Sequence, residues 1–207
     1  YRERGPSNKQ LQHFTGVGSW SKWKISITKF PTKWALDATN PKSHGNTDYE
    51  LANVGDLLYY YPNISEPSPF DTRGFFGVGV IKQKVEENDP WWPDDPEGNK
   101  YSKRLILDPL YIAFEPDGVL PVETGTGLPL SFQAINRIAD RNNAEELFEK
   151  TNEKWNIFPP TPYSDFYQFL ITEDEEKWED QKKEDHITLE LELSDDLKSV
   201  SSDKLNE

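Results

Sequence analysis

Two apolar runs constrain the fold most: Val54-Gly55-Asp56-Leu57-Leu58-Tyr59-Tyr60-Tyr61 and, a short loop later, Phe75-Phe76-Gly77-Val78-Gly79-Val80-Ile81. A Gly-Asp turn feeding an aliphatic and aromatic run, followed by a run with two glycines, predicts two buried strands of a small barrel or curled sheet. Side chains alternate along a strand, so Phe76, Val78 and Val80 share one face, and Phe75, Gly77, Gly79 and Ile81 the other. The second face is bare in its middle. Bare faces occur where a sheet bends or where a helix, a ligand or another backbone comes close. Bending is the favoured reading, since small barrels need such corners.

The flanking segments read as short elements. Residues 1–19 form a polar arm or an early strand. Trp23, Ile25 and Ile27 alternate with Lys24, Ser26 and Thr28, which predicts a strand with one wet face. Residues 31–37 read as a short helix, capped by Thr32 or started at Pro31, and 40–46 as a turn-rich loop carrying His44-Gly45. Residues 86–100 form a loop in which the adjacent Trp91 and Trp92, among prolines and acids, have little core to enter. A strand over 104–114 is broken at Asp108-Pro109, as at an edge or a bulge. Ser131 can cap a helix bearing Phe132, Ile135 and Ile138 at spacings of three. Asn143 can cap another over 144–155, with Leu147, Phe148, Thr151 and Trp155 on one side. A proline-rich connector, 158–162, and an aromatic helix or turn, 163–170, precede a solvated acidic run at 173–185. Residues 187–193 then alternate as an added edge strand. The expected division is an arm at 1–19, a domain at 20–172, an acidic segment with its edge strand at 173–193 and a linker at 194–207.

Charge is unevenly spread. Of the net −14, residues 173–207 carry −9, whereas residues 1–44 carry eight bases against Glu3 and Asp37. An acidic whole therefore leaves room for a basic N-terminal face. With no Cys, thiolate catalysis, disulfides and Cys-based zinc sites are excluded. No apolar run approaches a membrane span and no signal peptide is visible, so a cytoplasmic protein without a membrane partner is expected. The chain opens at Tyr1 without a Met, as a piece of a longer parent chain would.

Enzyme signals are thin. Gly125-Thr126-Gly127 lacks the Gly-Lys-Ser/Thr of a phosphate-binding loop, and Gly77-Val78-Gly79 sits within a strand instead of opening a helix. His13, His44 and His186 are too scattered for a metal site, and Asp94, Asp95 and Glu97 lack the spacing of a calcium loop. No catalytic residue, metal or cofactor is expected. What remains is aromatic surface beside lysines: Trp91, Trp92, His44 and either Trp20 or Trp34, near Lys24, Lys29, Lys33 and Lys42. Trp23 and Trp34, on amphipathic elements, read first as core, whereas Trp91 and Trp92 divide evenly between packing and ligand. Aromatic planes stack on bases, and lysines neutralise phosphates.

The order of these pieces over 23–155 resembles the EVE domains of the PUA-like superfamily, relatives of the YTH and ASCH domains. Its marks are Trp23-Lys24-Ile25-Ser26-Ile27, Trp34-Ala35-Leu36 in a short helix, His44-Gly45-Asn46, the two central runs, the Pro/Trp loop, the 104–114 strand and the helix from Phe132 to Ile138. The resemblance implies an α+β fold, a bent β-barrel flanked by short helices, with a pocket for one base flipped out of a nucleic acid. Carried over by position, it implies cage aromatics at His44 and at Trp91 or Trp92, with polar base contacts near Ser26 and Thr28. His44 departs from the usual Trp. Phosphates would meet Lys24, Lys29, Lys33 and Lys42. The resemblance further implies the N-terminal DNA-recognition domain of a McrB-like restriction subunit, ahead of a GTP-driven AAA+ motor.

The expected function is thus a non-enzymatic reader of nucleic acid, modified DNA being favoured over RNA. The alternatives are a protein-interaction or assembly module built on the 187–193 strand and the acidic run, or an RNA-binding PUA-like domain.

Overall fold

Of the two readings of residues 1–19, the early strand holds for His13–Gly18. In the computed structural model, residues 11–63, 68–70, 72–123, 125–130 and 134–156 are described. They all lie in the first of the two units, Tyr1–Tyr163 and Ser164–Glu207, into which the chain divides. The elements run β1 (His13–Gly18), α1 (Trp20–Thr28), β2 (Lys33–Leu36), α2 (His44–Leu51), β3 (Leu57–Pro62), β4 (Gly74–Phe75), β5 (Gly77–Glu86), β6 (Lys103–Ile112), β7 (Leu120–Pro121), β8 (Ala134–Arg137) and α3 (Arg141–Trp155). The expectations for 157–207 and for 1–10 fall outside the described residues.

Six strands form one sheet in the order β2-β6-β5-β3-β1-β8, and β4 and β7 pair separately. All neighbours are antiparallel except β1 and β3. The sheet curls into a nearly closed barrel whose edge strands, β2 and β8, approach each other without a hydrogen-bonded ladder. This is the expected α+β architecture, a bent barrel with short helices around it.

Four local expectations give way. The segment 20–28 is helical: Trp23 and Ser26 are its buried residues, three apart, and Trp20 and Ile27 pack partly beside them. Alternation of β-branched residues over so short a window does not distinguish strand from helix. The parallel pairing of β1 with β3 decides it, since parallel neighbours need a long crossover between them, and α1 stands in that crossover. Residues 33–36 form edge strand β2 instead of a helix, paired to β6 with Trp34 opposite Leu105. His44-Gly45 opens helix α2, where Ser43 accepts a hydrogen bond from the Asn46 amide. Ile135 lies in β8, antiparallel to β1, and not in a helix. A spacing of three with three apolar residues is too little sequence to set a period. The arm's second half is β1, all six of whose residues are buried. Helix α3 keeps its expected buried side, Leu147, Phe148, Thr151 and Trp155, but Asp140 caps it.

The bare glycine face is filled by a ring from the neighbouring strand. A Cβ on Gly79 would lie 2.0 Å from the Tyr60 hydroxyl oxygen, and one on Gly77 would lie 2.6 Å from Tyr60 Cδ2. The sheet bends there too. Its β5–β6 register shifts between Val78 and Gly79, opposite Tyr111 and Pro109, so Asp108-Pro109 marks a bulge as expected. Gly79→Ala is expected to cost about 3 kcal/mol through overpacking, read as a lower Tm, and Tyr60→Phe, which removes the crowded oxygen, to restore part of it. An unchanged Tm would contradict this packing.

His13 is the buried titratable group of β1. Its Nδ1 is 3.0 Å from the Tyr59 hydroxyl and its ring stacks on Tyr59 at 5.9 Å. Burial pushes its pKa down to about 3. The unfolded chain, with an ordinary imidazole, therefore binds more protons than the folded one between about pH 6.5 and 3, and stability falls as pH falls through that window. The slope is up to about 1.4 kcal/mol per pH unit. Urea unfolding of the protein and of His13→Gln across that range should differ by this component, and parallel pH profiles would contradict it.

Candidate nucleic-acid interface

The seam between the two edge strands makes a cavity. It has a volume of about 320 Å³ and is lined by Leu36 and Asp37 from the end of β2, by Asn40, Ser43, His44 and Gly45, and by Ala134 and Asn136 of β8. Because β2 and β8 do not pair, the barrel leaves this gap, and the start of α2 forms its remaining wall.

Hydrogen bonds hold that wall rigid. Asp37 Oδ1 accepts from the Thr39 amide at 2.9 Å and from its hydroxyl at 2.5 Å, and Asn40 Oδ1 accepts from the Lys42 amide at 3.2 Å. These are Asx turns, in which a side chain imitates a backbone turn. Asn46, buried on α2, donates from Nδ2 to the Asp37 carbonyl at 2.8 Å and the Asn40 carbonyl at 2.9 Å, with Ser43 Oγ also 3.1 Å from the same nitrogen. One side chain thus ties the loop to the helix. The helix is tied to β8 in turn: a Cβ on Gly45 would meet Ala134 Cβ at 2.9 Å, and Asp48 accepts from the Arg137 amide at 2.8 Å.

The lining mixes aliphatic surface from Leu36 and Ala134 with amide, hydroxyl, imidazole and carboxylate groups. Lys100 Nζ stands 3.8 Å from Asp37 Oδ2. The volume sits at the lower end of the range for small-ligand sites, about 300–1,000 Å³, and the side chains of Asp37, Asn40 and Ser43 are held by hydrogen bonds. Such a site can grip a flat heteroaromatic group by its edge.

Of the five residues expected at a base pocket, His44 borders the cavity. Ser26 is fully buried on α1, its hydroxyl without a partner among the described residues. Thr28 ends the same helix, with its hydroxyl donating to the Lys24 carbonyl at 2.6 Å. Both stand on a helix and not at the end of a first strand. Trp91 and Trp92 are 8% and 1% exposed and belong to the main core. Trp92 meets Trp34 and Tyr101 edge-on at 5.0 and 4.7 Å. Lys29, Lys33 and Arg104 surround Trp91 at 5.1, 5.3 and 5.7 Å from its ring centre.

The loop they occupy is pinned inward by a buried cation. Arg104 donates to Glu87 at 2.7 Å, to the Asp89 carboxylate at 2.9 Å, to the Asp89 carbonyl and to the Tyr101 carbonyl at 3.0 Å. Asp95 Oδ2 accepts from the amides of Lys100 and Tyr101 at 2.8 and 2.9 Å. A polar sequence thus carries two indoles into the core because Glu87, Asp89 and Asp95 find partners, although the two indole N–H groups have none among the described residues.

The lysines divide. Lys33 is paired with Glu87 at 2.6 Å, whereas Lys24, Lys29 and Lys42 have no carboxylate partner among the described residues. Sequence reasoning passed over Asp37, Asn40, Ser43 and Asn136. The Asp37–Ser43 stretch, dense in Asx and Ser residues, carried a signal for a structured loop; Asn136 carried none.

No protein-family model and no curated protein matches this sequence. Solved structures resemble it in backbone. The Mmi1 YTH domain in complex with RNA is 8% identical, with a TM-score of 0.45 over 70% of this chain and 79% of that one. PSPTO5229 from Pseudomonas syringae is 17% identical, with a TM-score of 0.42 over 67% and 99%. The Pho92 YTH domain in complex with m6A is 18% identical, with a TM-score of 0.33 over 52% and 63%. At such identities and scores, the chemistry of the site rests on this chain's own side chains.

Because Trp92 is core, Trp92→Ala should lower stability by about 3–5 kcal/mol, whereas His44→Ala, at an exposed position, should leave the Tm within a degree or two. A Trp92→Ala protein of unchanged Tm would contradict the packing described.

Proposed function

We propose that this chain is a nucleic-acid reader of the PUA-like, EVE-type kind, in which one base leaves the stack and enters the seam cavity. The observation that carries the proposal is the cavity itself: a volume suited to one base, walled by rigidly held polar groups and two aliphatic side chains. The ordered sequence resemblance to EVE domains supports it. Flipping costs a few kcal/mol. His44 offers a flat face, and Asn40, Ser43, Asn136 and Asp37 offer donors and acceptors for the base edge. Leu36 and Ala134 would receive a methyl group, which favours a modified base. Lys42, two residues before His44, and Lys24 and Lys29 on or next to α1 would neutralise phosphates. Trp92 packs on Trp34 of β2, the strand whose end, Leu36, borders the cavity. Modified DNA is the preferred target, and a McrB-like restriction subunit the preferred parent.

Fluorescence anisotropy with matched duplexes and single strands, unmodified or carrying methyladenine or methylcytosine, at two salt concentrations, tests this. Preferential binding of one modified base, weakened by salt, is expected. His44→Ala should weaken it roughly tenfold, about the loss of one good contact, with the Tm retained. No binding to any probe at about 100 µM protein, within the ordinary non-specific range, would overturn the proposal in favour of an assembly module.

A further inference from the structure

The Gly125-Thr126-Gly127 segment, which fails as a nucleotide loop by sequence, has an unusual backbone. Gly125 and Gly127 have φ of +90° and +71° and flank a Thr126 of ordinary φ. A Cβ on Gly125 would meet nothing within 4 Å, so the glycine answers to conformation and not to space. Turn backbone of this kind turns successive amide N–H groups toward one concavity, which attracts anions. The amides of Gly125, Thr126 and Gly127 have no hydrogen-bond partner among the described residues.

Beside them is a guanidinium. The two-stranded sheet of β4 and β7 brings Arg73, just before β4, alongside the chain leaving β7, and the Val122 amide donates to the Arg73 carbonyl at 3.0 Å. Arg73, Val122, Glu123, Gly125, Thr126, Gly127, Leu128 and Leu130 enclose a cavity of about 240 Å³. Arg73 Nε donates to the Tyr61 hydroxyl, which orients the side chain. Its two terminal nitrogens have no partner among the described residues. Glu123 is the opposing charge in the cavity. It is exposed to solvent, which screens its charge, and Lys150 on α3, the cation it acts on, is itself paired with Glu146 at 2.6 Å.

We propose that Arg73 and the Gly125–Gly127 amides form a phosphate-binding cradle, separate from the seam cavity. A guanidinium fork matches a phosphate's two oxygens, and converging amides take a third. This rests on the reader proposal for its natural ligand, a backbone phosphate of the bound nucleic acid.

The test is amide-resolved NMR of the whole chain with two probes: inorganic phosphate alone, and the duplex bound best in the anisotropy experiment. Phosphate should shift the amides of Gly125, Thr126 and Gly127, and Arg73→Ala should abolish those shifts while leaving the rest of the spectrum intact. With duplex, the same amides should move. Arg73→Ala should lower the slope of log K against log salt by about one phosphate contact and leave the ratio of modified to unmodified binding unchanged. If duplex fails to bind but phosphate still shifts these amides, the cradle stands with free phosphate as its ligand and the reader proposal falls. If neither probe shifts them, or if Arg73→Ala leaves the shifts in place, the cradle is overturned.

Discussion

The structure depends on one aromatic contact. Trp23 of α1 and Trp34 of β2 stack with ring centres 3.8 Å apart and planes 14° from parallel. Both are fully buried, and burying side chains of this size stabilises by roughly 2–3 kcal/mol each. Tyr60 and Phe76 pack on Trp23 at 4.6 and 5.4 Å, and Trp92 closes on Trp34. The Trp23 indole N–H donates to the Tyr61 carbonyl at 3.1 Å, which ties α1 to β3. The core is thus a set of rings that fixes the crossover helix and the edge strand together. With no Cys, this packing carries the fold without disulfides.

That arrangement creates the site. β1 lies between β3 and β8, so the sheet's free edges fall at β2 and β8, and their failure to pair leaves a gap. The stack holds β2, the register with β1 holds β8, and Asn46 locks the intervening loop onto α2. The cavity is rigid for the same reasons that the barrel is stable. Preorganisation of this kind spares a ligand the cost of ordering the site.

The central strands were legible because their apolar runs are long and bounded by turns, and the bulge because proline cannot donate to a ladder. They marked a small barrel or curled sheet, and the α+β bent barrel was what the resemblance of the ordered pieces to EVE domains implied. The segment 20–28 misled because Trp23, Ile25 and Ile27 satisfy a strand pattern while Trp20, Trp23 and Ile27 satisfy a helical one, and only the long-range pairing of β1 with β3 separates the two. Trp91 and Trp92 misled for another reason: the partners that let them enter the core, Arg104 and the amides of Lys100 and Tyr101, lie across a loop whose closure leaves no periodic trace. Around the seam cavity, the sequence signalled His44 as a flat polar ring and not as the start of a helix, and Asn136 reaches the cavity through strand pairing alone.

The central claim is that the seam cavity, and not the Trp91-Trp92 loop, receives the nucleic acid's base. It is tested most directly by following backbone amides and indole N–H signals together as an oligonucleotide is added. The account predicts that the largest shifts fall on Asn40 to Asn46 and on Ala134 to Arg137, while the indoles of Trp91 and Trp92 stay nearly still. Shifts centred on those two indoles, with the seam unmoved, would contradict it.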